Sequence, residues 1–167
     1  RAVEAEAEKQ FGKIGKAFRL QAKMTRGRLK MDQGVVAGCA GGSFENIGAM
    51  AEILNEGSIG DGEFALSIYP ASQPIHLGLI KNGIADKLLA TGATIRTAFC
   101  GPCFGAGDVP ANGALSARHT TRNFPNREGS KPVDGQLAAV ALMDARSIAA
   151  TALNGGLLTP ATEGPQR

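Results

Sequence analysis

The order of apolar and polar positions divides the chain into a helical lead and a longer alternating part. Residues 2–24 carry a helical period, with Val3, Ala7, Phe11, Ile14 and Phe18 on one face. Gly12 and Gly15 interrupt it, each at about 1 kcal/mol relative to alanine. From residue 34 onward short apolar runs alternate with helical segments. "GVVAG" reads as a buried strand, and Ser43 can cap a helix that places Ile47, Met50, Ala51 and Leu54 on one face. "EFALSIYP" is a second strand ended by Pro70. "SQPIHLGLIKNG" and "IADKLLATG" are helical pieces stopped by Gly83 and Gly92. "TIRTAF" is a third strand, delivering Cys100 at its carboxyl end; "ALSARHTTRNF" can form a fourth and "LAAVALMD" a fifth. "ARSIAATALNGG" closes the series as a helix.

Strands alternating with helices imply an α/β fold: a three-layer α/β/α domain around a largely parallel sheet. The expected division is an N-terminal helix and basic linker over 1–33, the α/β/α domain over 34–160 and a loose tail over 161–167; looseness is expected from Leu157 on. The linker holds Arg19, Lys23, Arg26, Arg28 and Lys30, but no aromatic lies between them for base stacking, so they read as a solvated surface.

Composition narrows the class. In 167 residues, 43% are hydrophobic and 20% charged, as in ordinary globular proteins. A net charge of +3 is too small to suggest a nucleic-acid or anionic-membrane partner, and no apolar run reaches a membrane-spanning length. "RAVEAEAEKQ" has neither an initiator Met nor an apolar signal core, so the sequence reads as part of a longer chain, and a cytoplasmic location is expected. The 23 glycines are about twice the usual share of ~7%, which predicts tight turns and close backbone approaches.

The strand, glycine turn and helix of "GVVAGCAGGSFENIGAM" suggest a phosphate loop. The fingerprint positions, however, are Gly38, Ala40 and Ser43, only the first a glycine, and no Lys-Ser/Thr pair closes a Walker loop. The cysteines say more. Cys39 ends one strand, Cys100 ends another, and Cys103 completes "CGPC". Ligand sites in parallel sheets form beyond the carboxyl ends of strands, so loops there can gather three thiolates. Such a set suits a zinc ion with one outside ligand or a cubane cluster, and spacing alone does not choose between them.

"GCAGGSFENIG", "CGPCFG" and "RNFPNR" together resemble the iron–sulfur domain of the aconitase family of hydro-lyases, from about residue 34 to 160. The late "ALMDARSIAATALNGG" is similar to the same family. The resemblance implies that Cys39, Cys100 and Cys103 hold a 4Fe–4S cluster and that Arg122 and Arg127 bind substrate carboxylates. It implies dehydration and rehydration of a hydroxy di- or tricarboxylic acid, with the open iron acting as a Lewis acid. The base would come from outside these residues, so no catalytic base is assigned here and the partners are the remaining domains or a subunit of the same enzyme. A cluster on a lone domain would be open to oxygen. Gly38-Cys39-Ala40-Gly41 stands where the family has Ser-Cys-Thr-Asn, and Thr121 where it has an asparagine. Those losses of polar side chains imply a divergent hydratase.

The remaining candidates have plainer readings. His76 reads as a packing or surface residue, and His119 precedes the arginines where it could line the site. Asp108 and Glu128 are not spaced as an acid–base pair, and Arg118 reads as structural. Two rival classes stay open: a thioredoxin-like redox pair using Cys100 and Cys103 alone, and a zinc-binding structural module using the three cysteines with His119.

Overall fold

The computed structural model describes residues 1–122 and 124–163. In chain order its elements are α1 (Ala2–Ala17), the short hairpin β1 (Met24–Thr25) and β2 (Arg28–Leu29), β3 (Gln33–Val36), the one-turn α2 (Gly38–Gly41) and α3 (Phe44–Leu54). Then follow β4 (Ala65–Ile68), α4 (Gln73–Lys81), α5 (Ile84–Ala90), β5 (Thr94–Ile95), β6 (Leu115–His119), β7 (Ala139–Leu142) and α6 (Ala145–Leu153). Five strands form one sheet in the order β5-β4-β3-β6-β7, and every pair is parallel. The expected α/β fold with helices flanking a parallel sheet is present.

The two faces of the sheet differ, and the strand period of two decides which residue goes where. Val36, Leu66, Ile68, Leu115 and Ala117 join Ile47, Met50 and Leu54 of α3, Leu79 of α4, Leu88 of α5 and Ile148 of α6 in one continuous core. Fully burying each large aliphatic there contributes about 1.5–3 kcal/mol. Serine caps begin two of these helices: Ser43 Oγ accepts the Asn46 N–H at 3.2 Å, and Ser72 Oγ accepts the Ile75 N–H at 3.4 Å. Register places Gln33 beside Ser116, and Val35 between Ser67 and Arg118, on the opposite face. That face is largely polar, with Val35, Ala37 and Tyr69 as a small apolar island.

Three elements are shorter than their sequence runs. β5 covers two residues because β4, its sole neighbour, ends at Ile68; the last bond runs from Arg96 N–H to Ile68 O at 2.8 Å. β6 stops at His119, whose carbonyl accepts the Ala37 N–H at 3.0 Å where β3 gives way to α2. Arg122 therefore lies beyond the strand, and the even spacing from Arg118 does not put the two on one face. α1 breaks at Gly12 (φ 57°, ψ −127°) and ends at Ala17, so the apolar stripe up to Phe18 is not one continuous helical face.

The chain past α6 is partly tied down. Met31 N–H donates to Gly156 O at 2.7 Å, Leu158 N–H to Leu29 O at 2.8 Å, and Thr159 is fully buried against Thr151. Leu157–Thr159 are thus held rather than loose, and residues 164–167 of the expected tail lie outside the described residues.

Candidate active site at the switch point of the sheet

β4 lies on one side of β3 and β6 on the other, so the connections diverge beyond the carboxyl ends of β3 and β6. That divergence opens the crevice in which parallel α/β sheets bind ligands. Cys39 follows β3 there, and Thr121 follows β6. Between them sits Gly38 in a left-handed conformation (φ +75°). A Cβ at that position would lie 2.5 Å from Cys103 Sγ and 2.7 Å from Thr121 Oγ1. Only glycine meets both demands, backbone and space. Cys39 Sγ is 3.3 Å from Thr121 Oγ1, which also accepts the Ala40 N–H at 3.4 Å, and Asn46 Nδ2 steadies the turn by donating to Ala40 O at 2.8 Å.

The second and third cysteines bracket a tight turn. Gly101–Cys103 is a single 3₁₀ turn in which the Cys103 N–H donates to Cys100 O at 3.0 Å. Cys39 and Cys100 are exposed, Cys103 is buried, and all three are free thiols. The structure thus sets Cys103 Sγ against Gly38 and Cys39 Sγ against Thr121, with Cys100 one turn from Cys103. Among the described residues no three His, Cys, Asp or Glu side chains converge as a single metal ion needs. A cubane takes one thiolate per iron, so its ligands need not share one point, and the donor chemistry of three free thiols fits such a group. His119, offered as a fourth zinc ligand, uses Nδ1 to accept the Ala145 N–H at 3.1 Å.

The arginines separate. Arg122 is exposed beside Thr121, and Asn123 of "RNFPNR" lies outside the described residues. Arg127 is buried against the cysteine turn: Nη2 donates to Cys103 O at 3.3 Å, and the guanidinium carbon lies 5.9 Å from the Phe124 ring centroid. Its Nε and Nη1 have no hydrogen-bond partner among the described residues. Burial lowers its pKa from the ordinary arginine value, while Cys103 and Glu128 pull the other way. The side chain borders a cavity of about 350 Å³ whose walls include Phe11, Phe124 and Glu128.

Sequence reasoning missed a second set of groups on the polar face. Asp108 accepts from Tyr69 OH at 2.6 Å and Ser67 Oγ at 3.0 Å, with Arg96 3.7 Å away. Burial, then the hydrogen bond and charge of Asp108, push the Tyr69 hydroxyl up to about 12. The signal was there in the alternation of Ser67 with Tyr69 and Ser116 with Arg118, polar residues at every second position of the second and fourth strands. Glu128 is buried and accepts from the Ser130 hydroxyl, so it pairs with Ser130 and not with Asp108. His76 is half-buried on α4.

The fold defines the class: a parallel α/β domain with a switch point between β3 and β6 and free thiols in the loops that follow its strands. The chain belongs to the aconitase family: the family model, aconitate hydratase, matches residues 2–150. It is similar to the 3-isopropylmalate dehydratase large subunit of Caldanaerobacter subterraneus subsp. tengcongensis, 34% identical over 124 residues, 74% of this chain and 29% of that protein. It is also similar to large subunit 2 of the same name from Rubrobacter xylanophilus, 35% identical over 134 residues, 80% of this chain and 30% of that protein. In Clostridioides difficile the large subunit is 32% identical over 121 residues, 72% of this chain and 28% of that protein. The chain therefore spans 28–30% of the length of these relatives. Among the described residues no helix is long and apolar enough to cross a membrane.

Proposed function

We propose that this chain supplies the cysteines and carboxylate-binding arginines of an iron–sulfur hydro-lyase acting on a hydroxy di- or tricarboxylic acid. Cys39, Cys100 and Cys103 are the ligands of a 4Fe–4S cluster. The observation that carries the reading is the contact around Gly38, which sets the loop after β3 against both Cys103 and the segment after β6. When bound, the cluster supplies the Lewis-acid character needed to remove hydroxide, a poor leaving group.

The chain's own residues hold the substrate. Arg127 presents nitrogens without partners from a buried position, where a planar guanidinium can make two parallel bonds to a carboxylate. A carboxylate there would offset the burial of the guanidinium. Arg122, exposed beside Thr121, takes a second carboxylate. The proton-abstracting base and further substrate contacts come from other domains or a partner subunit, in keeping with the large-subunit names of the relatives.

Iron content after anaerobic reconstitution tests the grouping. Cys39→Ser and Cys103→Ser should each abolish cluster retention, read as iron per chain and as visible charge-transfer absorption. A Cys39→Ser chain that keeps its full iron complement overturns the three-cysteine assignment.

A further inference from the structure

Arg118 sits on β6 with no exposed surface, directly beneath the cysteine loop. Each nitrogen of its guanidinium has a separate task. Nε donates to Ser116 Oγ at 3.0 Å, on its own strand and face. Nη1 donates to Pro102 O at 3.0 Å, inside the Cys100–Cys103 turn. Nη2 donates to Asp108 O at 2.5 Å and to Gln33 Oε1 at 3.2 Å. Two of the acceptors are main-chain carbonyls at either end of the loop from residue 102 to 108. The same loop is held from other strands, by Gln33 Nε2 to Asp108 O at 3.0 Å and by Tyr69 and Ser67 on the Asp108 carboxylate.

A buried cation is costly unless it is paired and hydrogen-bonded. Its own burial lowers the pKa of Arg118, against the opposing charges of Glu128 and Asp108. A side chain that only filled space here could be apolar. The four acceptors lie on β3, on β6 and at two points of the loop, which matches a planar fork and not a single ammonium.

We infer that Arg118 is the positioning residue for the metal-binding turn, fixing Cys103 by stapling the Pro102 and Asp108 carbonyls to the sheet. The inference rests on the reading of Cys100 and Cys103 as ligands only in its consequence for iron, since the staple acts with or without metal. Arg118 touches neither substrate nor iron; it acts through the loop.

The test uses the full chain as Arg118→Met, which keeps the stem, and Arg118→Lys, which keeps the charge. Without metal, Cys103 should be alkylated at least tenfold faster in the Met variant. Cys39 and Cys100, already exposed, should not change. Amide exchange should rise in residues 101–109 while β3 and α6 stay protected. Should the Met variant not fold, the Lys variant carries the test, with Cys103 alkylated several-fold faster than in the parent chain. Unchanged Cys103 reactivity in a folded variant would overturn the assignment, and so would exchange rising evenly across the sheet, the mark of a plain core residue. Loaded with iron, either variant should lose it to a chelator several-fold faster. A loosened loop with unaltered iron loss supports the staple and removes Cys103 from the ligand set.

Discussion

At the scale of single residues, the site turns on an atom that is missing. Gly38 lacks a Cβ, and the space is taken by Cys103 Sγ and Thr121 Oγ1. Gly38→Ala must push the two apart and also hold alanine at φ +75°, where L-residues are strained by roughly 1–2 kcal/mol. We expect a chain that folds with reduced stability and loses reconstituted iron well before its parent, measured by thermal unfolding and iron content together. An alanine variant with parental iron retention would show that the contact does not govern the site. Gly41 and Gly42 have the same character, since a Cβ at either would meet the backbone of His119 or Tyr69 within 2.3 Å. The abundance of glycine seen in the composition is used here for close approach and not for phosphate binding.

At the scale of elements, α6 shows how a short sequence signal anchors the core. Asp144 Oδ1 accepts the N–H groups of Arg146 (2.9 Å) and Ser147 (3.1 Å), and Oδ2 accepts the Ser147 hydroxyl at 2.7 Å. Partial burial alone would raise its pKa, but these bonds prevail and hold it below the ordinary 3.8. A depressed carboxylate stabilises the fold above its unfolded pKa and loses that contribution as pH falls through the folded value. Asp144→Ala should therefore cost about 1 kcal/mol at neutral pH. The difference from the parent should shrink as the pH is taken below 3.8. Denaturant unfolding at neutral pH and near pH 3 reads both quantities, and a difference independent of pH would remove the charge from the explanation.

Much of this level was visible in the chain. The periods of the strands and helices, Ser43 as a cap and the glycine stops all describe local chemistry, and local chemistry is written locally. The ends of β5 and β6 were not visible, because a strand lasts as long as its neighbour has backbone to offer. Nor was the work of Arg118, whose acceptors Pro102 and Asp108 reach it through a loop crossing the sheet. The three cysteines could be grouped by type, but Cys100, expected at the end of the third strand, lies past β5, which stops at Ile95. That Arg127 is buried while Arg122 is exposed depends on how residues 103–105 pack on 127–129, which no spacing records.

At the scale of the whole molecule, the fold is better equipped than the chemistry. One continuous core joins four helices to the sheet, enough for the chain to unfold as a cooperative unit. The titratable groups beside the motifs already have partners. Asp108 is engaged by Tyr69 and Ser67, Glu128 by Ser130, and His119 through Nδ1 by α6. Reconstituted alone, the chain should show a single unfolding transition and no dehydration of hydroxy acids, because positioning and water exclusion can each contribute several kcal/mol to catalysis. Turnover above that of a Cys100→Ser control would place a sufficient base within these residues.

The polar face of the sheet is roofed by the loop that carries Cys100 and Cys103, where the other face has helices. Whatever ties those thiols down also seals that face. A group bound only by the folded form shifts the equilibrium toward it by mass action, and proteases act on the form that opens. On the proposed reading of the thiols as cluster ligands, iron supply would then set how long the polypeptide survives in a cell. Starvation for the metal would lower its abundance with no change in its synthesis.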